Sequence, residues 1–222
     1  IRERIEEILD RDSFHEIGAI SGLSEYGPDG SLKSFRASNC IFGRGQIDGR
    51  TIVLVGDDFT VRGGAADASI WEKQVAAEQM AYELHLPIVR LVEGTGGGGS
   101  VKSIESDGYT YVPGNPAWDW VVANMGQVPV VSLALGPVAG LGAARVATSH
   151  YALMVKGQSQ LFVAGPPVVA RLGENVSKEE LGGSSIHSRN GAVDDEVESE
   201  EEAFSRTKTF LSGDSGCSRI RF

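Results

Sequence analysis

Cysteine is scarce in this sequence: among 222 residues only Cys40 and Cys217 occur, and they do not form a CxxC pair. This excludes a disulfide framework and a cysteine zinc site, and it favours a reducing compartment. Long apolar runs are absent as well, since none approaches the roughly 20 residues that a helix needs to cross a bilayer. We therefore expect a protein without disulfides and without membrane spans.

Basic residues are also few. The 20 lysines and arginines stand against 30 aspartates and glutamates, which gives a formal net charge of −10. Binding to nucleic acid needs a clustered basic surface, and the sequence contains no such cluster. Much of the acidity lies between Asp194 and Glu202, where a charged run is typical of a solvated helix face. We predict neither a nucleic-acid partner nor a membrane partner.

Side chains in recognisable catalytic motifs are missing too. His15, His85 and His150 lie beside predicted element ends without the spacing of metal ligands or catalytic partners, so we expect structural or surface roles for them. His187 follows the Leu181-Gly182-Gly183 turn, and we expect it to make a fold-stabilising hydrogen bond. The glycine runs match neither a P-loop nor the dinucleotide fingerprint. These absences argue against a nucleotide-hydrolysing enzyme, a nicotinamide enzyme and a metal site.

The chain does contain enough apolar residues, 41% of the total, to bury one sizeable core. Repeated strand–helix–strand units predict an α/β domain with stacked parallel strands. A hairpin closed by Asp48-Gly49 precedes these units. The predicted strands cover 38–42, 51–55, 86–92 and 128–135, a hairpin-like segment covers 151–162, and the predicted helices cover 1–9, 69–84, 117–125, 141–147, 167–172 and 194–211. We predict one domain over residues 1–211 and an irregular tail or truncation edge over residues 212–222.

Two glycine-rich turns follow buried strands. One turn covers Gly94–Ser100 and the other covers Gly136–Gly140. Glycine lets backbone N–H groups approach a ligand closely, and two such groups from neighbouring strand ends can converge on one developing oxyanion. This arrangement suits the formation of an enolate. The tract of glycines in the first turn is equally compatible with a flexible loop.

Several short motifs, in the same order along the chain, resemble the β subunit of propionyl-CoA and methylcrotonyl-CoA carboxylases. The resemblance extends to about Leu211 and implies a crotonase-like (ClpP/crotonase) fold, a β-β-α superhelix of the α/β class. The motifs are Arg2-Glu3-Arg4-Ile5, Leu9-Asp10, Ser13-Phe14, Gly43–Gly49 before Arg50, Leu86-Pro87, Gly136-Pro137-Val138-Ala139-Gly140, Met154-Val155-Lys156, Leu161-Phe162-Val163-Ala164-Gly165-Pro166, Glu179-Glu180-Leu181-Gly182-Gly183, His187 and Gly191.

The resemblance also implies which residues form the site. Gly140 and Leu141 fall where the family places the backbone donors for the thioester oxygen, and Gly96 and Gly97 fall at the other strand-end turn. The remaining residues implied to bind substrate are Gly136 and Ala139. Leu141 departs from the family pattern, which usually has a second glycine there.

The implied reaction transfers carbon dioxide from carboxybiotin to the α-carbon of an acyl-CoA through an enolate held by backbone N–H groups. Biotin is expected on a partner, a biotin carrier or biotin carboxylase subunit, and no metal is expected in this chain. In the family the active site forms where this domain meets the second, C-terminal domain of another subunit, so the chain is expected to hold half of it. The resemblance further implies a homo-oligomer, a hexamer, in the bacterial cytoplasm or the mitochondrial matrix.

Two alternatives remain open from the sequence. A free-standing crotonase-type hydratase, isomerase or decarboxylase would use a carboxylate such as Glu93, which lies at a predicted strand end, as its general acid or base. A truncated, non-catalytic CoA-binding or structural component would also be compatible with the motifs.

Overall fold

A computed structural model describes residues 1–65, 68, 70–95, 105, 108–109 and 115–213 of the chain. The strands are β1 (His15–Ile17), β2 (Gly22–Tyr26), β3 (Leu32–Ala37), β4 (Cys40–Ile47), β5 (Arg50–Asp57), β6 (Ile88–Thr95), β7 (Val130–Ala139), β8 (Tyr151–Val155), β9 (Gln160–Phe162) and β10 (Asp195–Val197). The helices are α1 (Arg2–Ile8), α2 (Trp71–Leu84), α3 (Trp118–Asn124), α4 (Leu141–Ala147), α5 (Pro166–Val169), α6 (Lys178–Gly182), α7 (Ser184–Asn190) and α8 (Glu200–Ser212). Short 3-10 helices cover Arg62–Gly64 and Ala170–Leu172.

The central sheet has the strand order β1-β4-β5-β6-β7-β8-β10, and β9 also pairs with β7. Strand β4 is antiparallel to both of its neighbours, β1 and β5, and the sheet is parallel from β5 onward. The predicted β4–β5 hairpin is confirmed. Asp48 and Gly49 both have positive φ, 49° and 76°, as a two-residue type I′ turn requires. Strands β2 and β3 form a separate two-stranded hairpin.

Helices cover both faces of the sheet because the strand residues alternate between two apolar cores. On one face, α1 and α8 bury Ile8 and Phe204 in the same cluster as Leu91 of β6. On the other face, α2 packs its alanines against β5, and α4 packs Val146 against Val92 at the end of β6. The predicted α/β layering with parallel strands is confirmed, and it leaves the carboxyl ends of β6 and β7 next to α4.

Two parts of the predicted secondary structure are wrong, and several elements were not predicted. Residues 151–162 do not form a hairpin, because β8 and β9 both pair in parallel with β7, at different points along it. The last predicted helix begins at Glu200 rather than Asp194, since β10 occupies the segment before it. The β2–β3 hairpin, β1, α6 and α7 lie in segments for which no strand or helix was predicted. The boundary of the predicted domain at residue 211 remains a prediction, although α8 continues through Ser212.

Among the described residues, no helix is both long enough and apolar enough to cross a membrane.

Candidate active site

Strands β6 and β7 end side by side. Gly94 pairs with Val138 and Thr95 pairs with Ala139, after a register shift between Val92 and Gly94. Ligands of open parallel sheets bind outside the carboxyl ends of such strands. Both strands continue beyond the ends that the sequence predicts, so Gly136 and Ala139 are strand residues rather than turn residues.

Backbone-to-backbone packing fixes the end of β6. Gly94 has φ 108°, and a Cβ there would lie 2.7 Å from the Cα of Gly64 in the first 3-10 helix. Gly64 has φ 67°, and a Cβ on it would lie 2.8 Å from the Glu93 carbonyl oxygen. Neither glycine can therefore be replaced by a larger residue without moving the strand end.

The turn between β7 and α4 consists of Gly140. Its backbone has φ 62° and ψ −128°, and α4 begins at the next residue, Leu141. The N–H of Gly140 donates to the carbonyl oxygen of Phe162 at 2.9 Å, so this amide is already used. The first amides of a helix, beginning here with Leu141, have no acceptor within the helix. Of the two predicted backbone donors, Gly140 therefore has its N–H engaged with Phe162, and the donor role of Leu141 remains a prediction.

An ion-pair cluster lies beneath β7 on the α1 and α8 face. Arg4 binds Glu93 at 2.5 Å and Glu200 at 2.6 Å, and it donates to the Leu135 carbonyl at 3.2 Å. These two carboxylates raise the pKa of Arg4 above its ordinary value, although burial opposes the shift. A Cβ on Gly136 would lie 2.3 Å from the Glu93 carboxylate, so Gly136 makes room for this side chain. The role of Gly136 that the contacts support is therefore packing against Glu93.

Buried charges on the face of the sheet that is covered by α2 and α4 hold α4 in place. Arg90 of β6 makes two hydrogen bonds of 2.8 Å to the Glu78 carboxylate. It also donates to the carbonyls of Arg145 at 3.2 Å and Thr148 at 2.8 Å, at the C-terminal end of α4. Because these contacts tie α4 to β6 and α2, they fix the position of the turn at its other end.

A second buried pair joins α4 to β5. Arg145 lies 3.6 Å from Asp57. Burial raises the pKa of the Asp57 carboxyl above its usual range, and Arg145 only partly offsets this. Burial alone would lower the pKa of the Arg145 guanidinium, but Asp57 and Glu78 hold it above its ordinary value. Arg145 is thus a charged anchor of the helix within the core.

An apolar cavity of about 560 Å³ opens beside α4 and includes Gly140 in its lining. Its volume falls in the range of small-molecule sites. His187 is the single titratable residue among its described lining residues, and its Nε2 donates to the Leu161 carbonyl at 2.9 Å. The predicted fold-stabilising hydrogen bond of His187 is confirmed. The other lining residues are Ala143, Ala144, Ala147, Leu161, Phe162, Val163, Ala164, Val169, Leu181 and Ala192.

The remaining residues that the sequence analysis named lie either outside the described residues or in structural positions. Gly96 and Gly97 lie outside the described residues, as does Cys217. His150 accepts from the Val130 N–H at 3.1 Å and contacts the Met125 carbonyl at 3.0 Å, which is the structural role expected for it. Across the described part of the chain, no group of three histidine, cysteine or acidic side chains could hold a metal ion.

Cys40 is a packing residue in the described core. It is buried on β4, and burial raises the pKa of its thiol to about 12. A thiol with such a high pKa is not ionised near neutral pH and is a poor nucleophile.

The sequence placed Gly94 in a glycine-rich turn and Arg4 in a family motif, but it assigned no role in the site to Arg4 or Arg90. Arg90 is a charged residue within the apolar run 86–92, and a buried charge needs a partner. The sequence therefore indicates that Arg90 forms a buried ion pair. Nothing in the sequence identified Glu78 as that partner. Arg4 and Glu93 are 89 positions apart, so their pairing follows only from the packing of α1 beneath the sheet.

A model of the carboxyl transferase domain family matches residues 1–214. The chain is similar to the mitochondrial methylcrotonoyl-CoA carboxylase beta chain of Dictyostelium discoideum, with 32% identity over 220 residues that cover 96% of this chain and 36% of that protein. It is also similar to the mitochondrial propionyl-CoA carboxylase beta chain of Homo sapiens, with 32% identity over 199 residues that cover 86% of this chain and 35% of that protein. The chain thus spans just over a third of the length of these relatives.

Among solved structures, transcarboxylase 12S matches with a TM-score of 0.77 and 29% identity, over 95% of this chain and 41% of that one. The beta subunit of P. aeruginosa geranyl-CoA carboxylase matches with a TM-score of 0.73 over 95% of this chain and 38% of that one. Its identity of 24% shows the fold alone. These likenesses confirm the crotonase-like α/β fold that the sequence motifs predicted.

Proposed function

Because the chain belongs to the carboxyl transferase family, we propose that it is the acyl-CoA-binding part of the carboxyltransferase of a biotin-dependent acyl-CoA carboxylase. The reaction moves carbon dioxide from carboxybiotin to the α-carbon of an acyl-CoA. The observation that carries the proposal is the junction of β7 and α4, where the Gly140 turn opens onto an apolar cavity of about 560 Å³. A backbone turn beside an apolar cavity suits a thioester, which has one polar oxygen and an apolar chain.

In this proposal the N–H of Leu141 donates to the thioester oxygen as the α-proton leaves. A preorganised donor at that oxygen stabilises the enolate, and removing one such donor typically costs about two to three orders of magnitude in rate. We propose that a second donor comes from Gly96 or Gly97, at the other strand end. Gly140 shapes the turn, Ala139 holds the end of β7 against β6 by pairing with Thr95, and Gly136 makes room for the Glu93 side chain. We propose that Ala139 lies next to the bound substrate.

We assign the thioester and the acyl chain to the Gly140 turn and the apolar cavity, and we assign carboxybiotin to a biotin-carrying partner. When bound, carboxybiotin supplies the carbon dioxide and the nitrogen base that takes the α-proton. A general base from this chain is therefore unnecessary. In agreement, Glu93 is held in an ion pair with Arg4 at 2.5 Å rather than presented as a free carboxylate.

The proposed partners are a biotin carrier or biotin carboxylase subunit and further copies of the chain itself, as a hexamer. Support comes from relatives that are named as beta subunits of biotin-dependent carboxylases, and from transcarboxylase 12S, which is described as a hexamer assembly. A mitochondrial matrix or bacterial cytoplasmic location is proposed because relatives include mitochondrial and mycobacterial proteins.

The test is a carboxylation assay on the full-length protein with its biotin-carrying partner. Given ATP, acyl-CoA and radiolabelled bicarbonate, we expect label in an acid-stable acyl-CoA product. Avidin sequesters biotin and should abolish the incorporation. Conversion of acyl-CoA that continues at the same rate with avidin present would contradict the proposal and favour a free-standing hydratase, isomerase or decarboxylase. Failure to bind any acyl-CoA in a calorimetric titration would leave only a structural role.

Substitution of Glu93 separates the two enzymatic functions further. We expect Glu93→Gln to retain carboxyl transfer, because the carboxylate is engaged with Arg4 and packs against Gly136. The weakened pair should lower the free energy of unfolding by about 1–3 kcal/mol, which chemical denaturation would measure. Complete loss of activity in a variant that remains folded would instead identify Glu93 as an acid or base.

A further inference from the structure

The apolar cavity extends along one side of α4. Its lining includes Gly140, before the helix, and Ala147, the last helical residue. At about 1.5 Å of rise per residue, the cavity reaches roughly 10 Å from the Gly140 turn. We propose that this cavity binds the acyl chain and that the substrate is an acyl-CoA with a medium-length or branched apolar chain rather than acetyl-CoA. The inference rests on the proposed function and specifies its substrate class.

The wall formed by α4 leaves this space open because its residues are small. Ala143, Ala144 and Ala147 line the cavity from the helix, and Leu161, Phe162 and Leu181 are among the residues that line the rest of it. A chain that leaves water to contact such a surface gains free energy with each methylene that it buries. The binding free energy of the acyl chain should therefore become more favourable with each added methylene until the cavity is filled.

Even the histidine contributes an apolar surface. The Leu161 carbonyl can only accept, so Nε2 of His187 carries the proton and donates to it at 2.9 Å. Nδ1 is buried and has no hydrogen-bond partner among the described residues, so it does not face the open cavity. Apart from His187, the described lining residues have no polar side chain that could bind a hydroxyl or carboxyl group on the acyl chain. Such a group would lose its hydration with little compensation. The lining therefore selects against polar acyl groups.

The experiment is a chain-length profile of the full-length protein with its biotin-carrying partner. Straight-chain acyl-CoAs from acetyl-CoA to decanoyl-CoA would be compared by kcat/KM. We expect kcat/KM to rise by about fourfold for each further buried methylene, until the cavity is filled. A hydroxylated chain of the same length should be a poorer substrate.

Substitutions that fill the cavity should move this profile. Ala147→Leu occupies the end remote from Gly140, so it should lower kcat/KM most for the longest chains and shift the optimum to shorter ones. Ala144→Leu, nearer the turn, should shift it further. Ala170→Leu is the matched control, because Ala170 is exposed and does not line the cavity. It should keep the profile of the unsubstituted protein.

The outcomes separate this inference from the proposed function. Carboxyl transfer with a flat profile, or with acetyl-CoA preferred, overturns the chain-binding role and leaves the proposed function intact. Size-exclusion chromatography provides a second test. If Ala147→Leu alters the oligomeric state but leaves the chain-length profile unchanged, the cavity is a contact between copies of the chain, and the chain-binding role is overturned as well. Absence of transfer to every acyl-CoA overturns both. If a variant fails to fold, the chain-length profile of the unsubstituted protein still tests whether the cavity binds the acyl chain.

Discussion

Gly140 has φ 62° and ψ −128°, a backbone conformation that residues with a Cβ rarely adopt. Its own N–H donates to the Phe162 carbonyl, so the next amide along the chain, that of Leu141 at the start of α4, is the one that we propose as the donor. Leu141 begins α4 and is not among the described residues with positive φ. A second glycine, as the carboxylase family usually has, is therefore not needed for the backbone geometry. The chemistry assigned to this position depends on an N–H group, which leucine has.

Leu141→Pro tests this role because it removes the backbone N–H, together with the leucine side chain, at a position where proline is compatible with the helix. Proline is tolerated at the first position of a helix, where its fixed φ is already helical. We expect kcat for carboxyl transfer to fall by about two to three orders of magnitude, as for loss of one oxyanion donor. The KM for acyl-CoA should change much less, since the donor acts mainly in the transition state.

Leu141→Ala is the matched control for this prediction. It shortens the side chain but retains the N–H, so its kcat should stay far above that of Leu141→Pro. Equal losses of kcat in the two variants would show that the leucine side chain, and not the amide, is what matters. Circular dichroism and thermal unfolding of both variants would confirm that α4 still forms.

Short sequence patterns correctly predicted the strands that pair with a neighbour in sequence or that form a single apolar run. The Asp48-Gly49 turn predicted the β4–β5 hairpin, and the apolar run before Glu93 predicted β6. Strand β9 was misread because it has three residues and pairs with the far end of β7, beyond the point at which β8 pairs. A periodicity argument cannot locate such a partner. The same holds for β10, whose acidic residues favoured a helix from sequence but pair in parallel with β8.

The candidate site was predictable to a similar extent. The glycine motif before α4 located the turn, because glycine is the residue that this conformation favours. The hydrogen bond that occupies the Gly140 amide could not be predicted, since it depends on where β9 lies. The cavity is likewise a product of packing, because α4 and β9 line it together with Leu181 of α6, His187 of α7 and Ala192 after α7.

At the scale of elements, Tyr151 joins β8 to β10 and α8. Its hydroxyl donates to Asp195, and its ring stacks on Phe210 with centroids 4.8 Å apart. Burial, followed by Asp195, raises the pKa of the Tyr151 phenol. Above pH 10 the unfolded chain therefore loses this proton before the folded chain does.

The stability that Tyr151 contributes should be complete below its unfolded pKa of about 10 and should decline as the pH rises beyond it. Tyr151→Phe removes the titrating group and retains the ring. We expect the unfolding free energy of the unsubstituted protein to fall more steeply above pH 10 than that of the variant. Urea unfolding at a series of pH values measures the difference. Parallel curves would show that the phenol has the same pKa in both states.

At the scale of the whole molecule, two charged clusters brace the candidate site from opposite faces of the sheet. Arg4 joins α1 and α8 to the end of β6 on one face. On the other face, Arg90 joins β6 to α2 and to the C-terminal end of α4. The strand ends and α4 are thus held between two helical layers, so that the turn at Gly140 is positioned by residues far from it in sequence.

The Arg90–Glu78 pair is the most deeply buried part of this bracing, with side-chain exposures of 0% and 2%. Arg90→Met would remove the arginine partner of the buried Glu78 carboxylate, which would keep only the hydrogen bond from the Asn124 amide, and it would remove the donors to the α4 carbonyls. We expect a loss of about 3–5 kcal/mol in the unfolding free energy of the full-length protein, measured by chemical denaturation.

Lys156→Met supplies the matched comparison, because it breaks the exposed Lys156–Glu198 pair, whose side chains are 55% and 75% exposed. That change should cost little, since solvent screens such a pair. The double variant Arg90→Met with Glu78→Gln should recover part of the lost stability, because it no longer buries an unpaired charge. If Arg90→Met costs no more than Lys156→Met, the buried pair does not hold the layers together, and the position of α4 must depend on apolar packing alone.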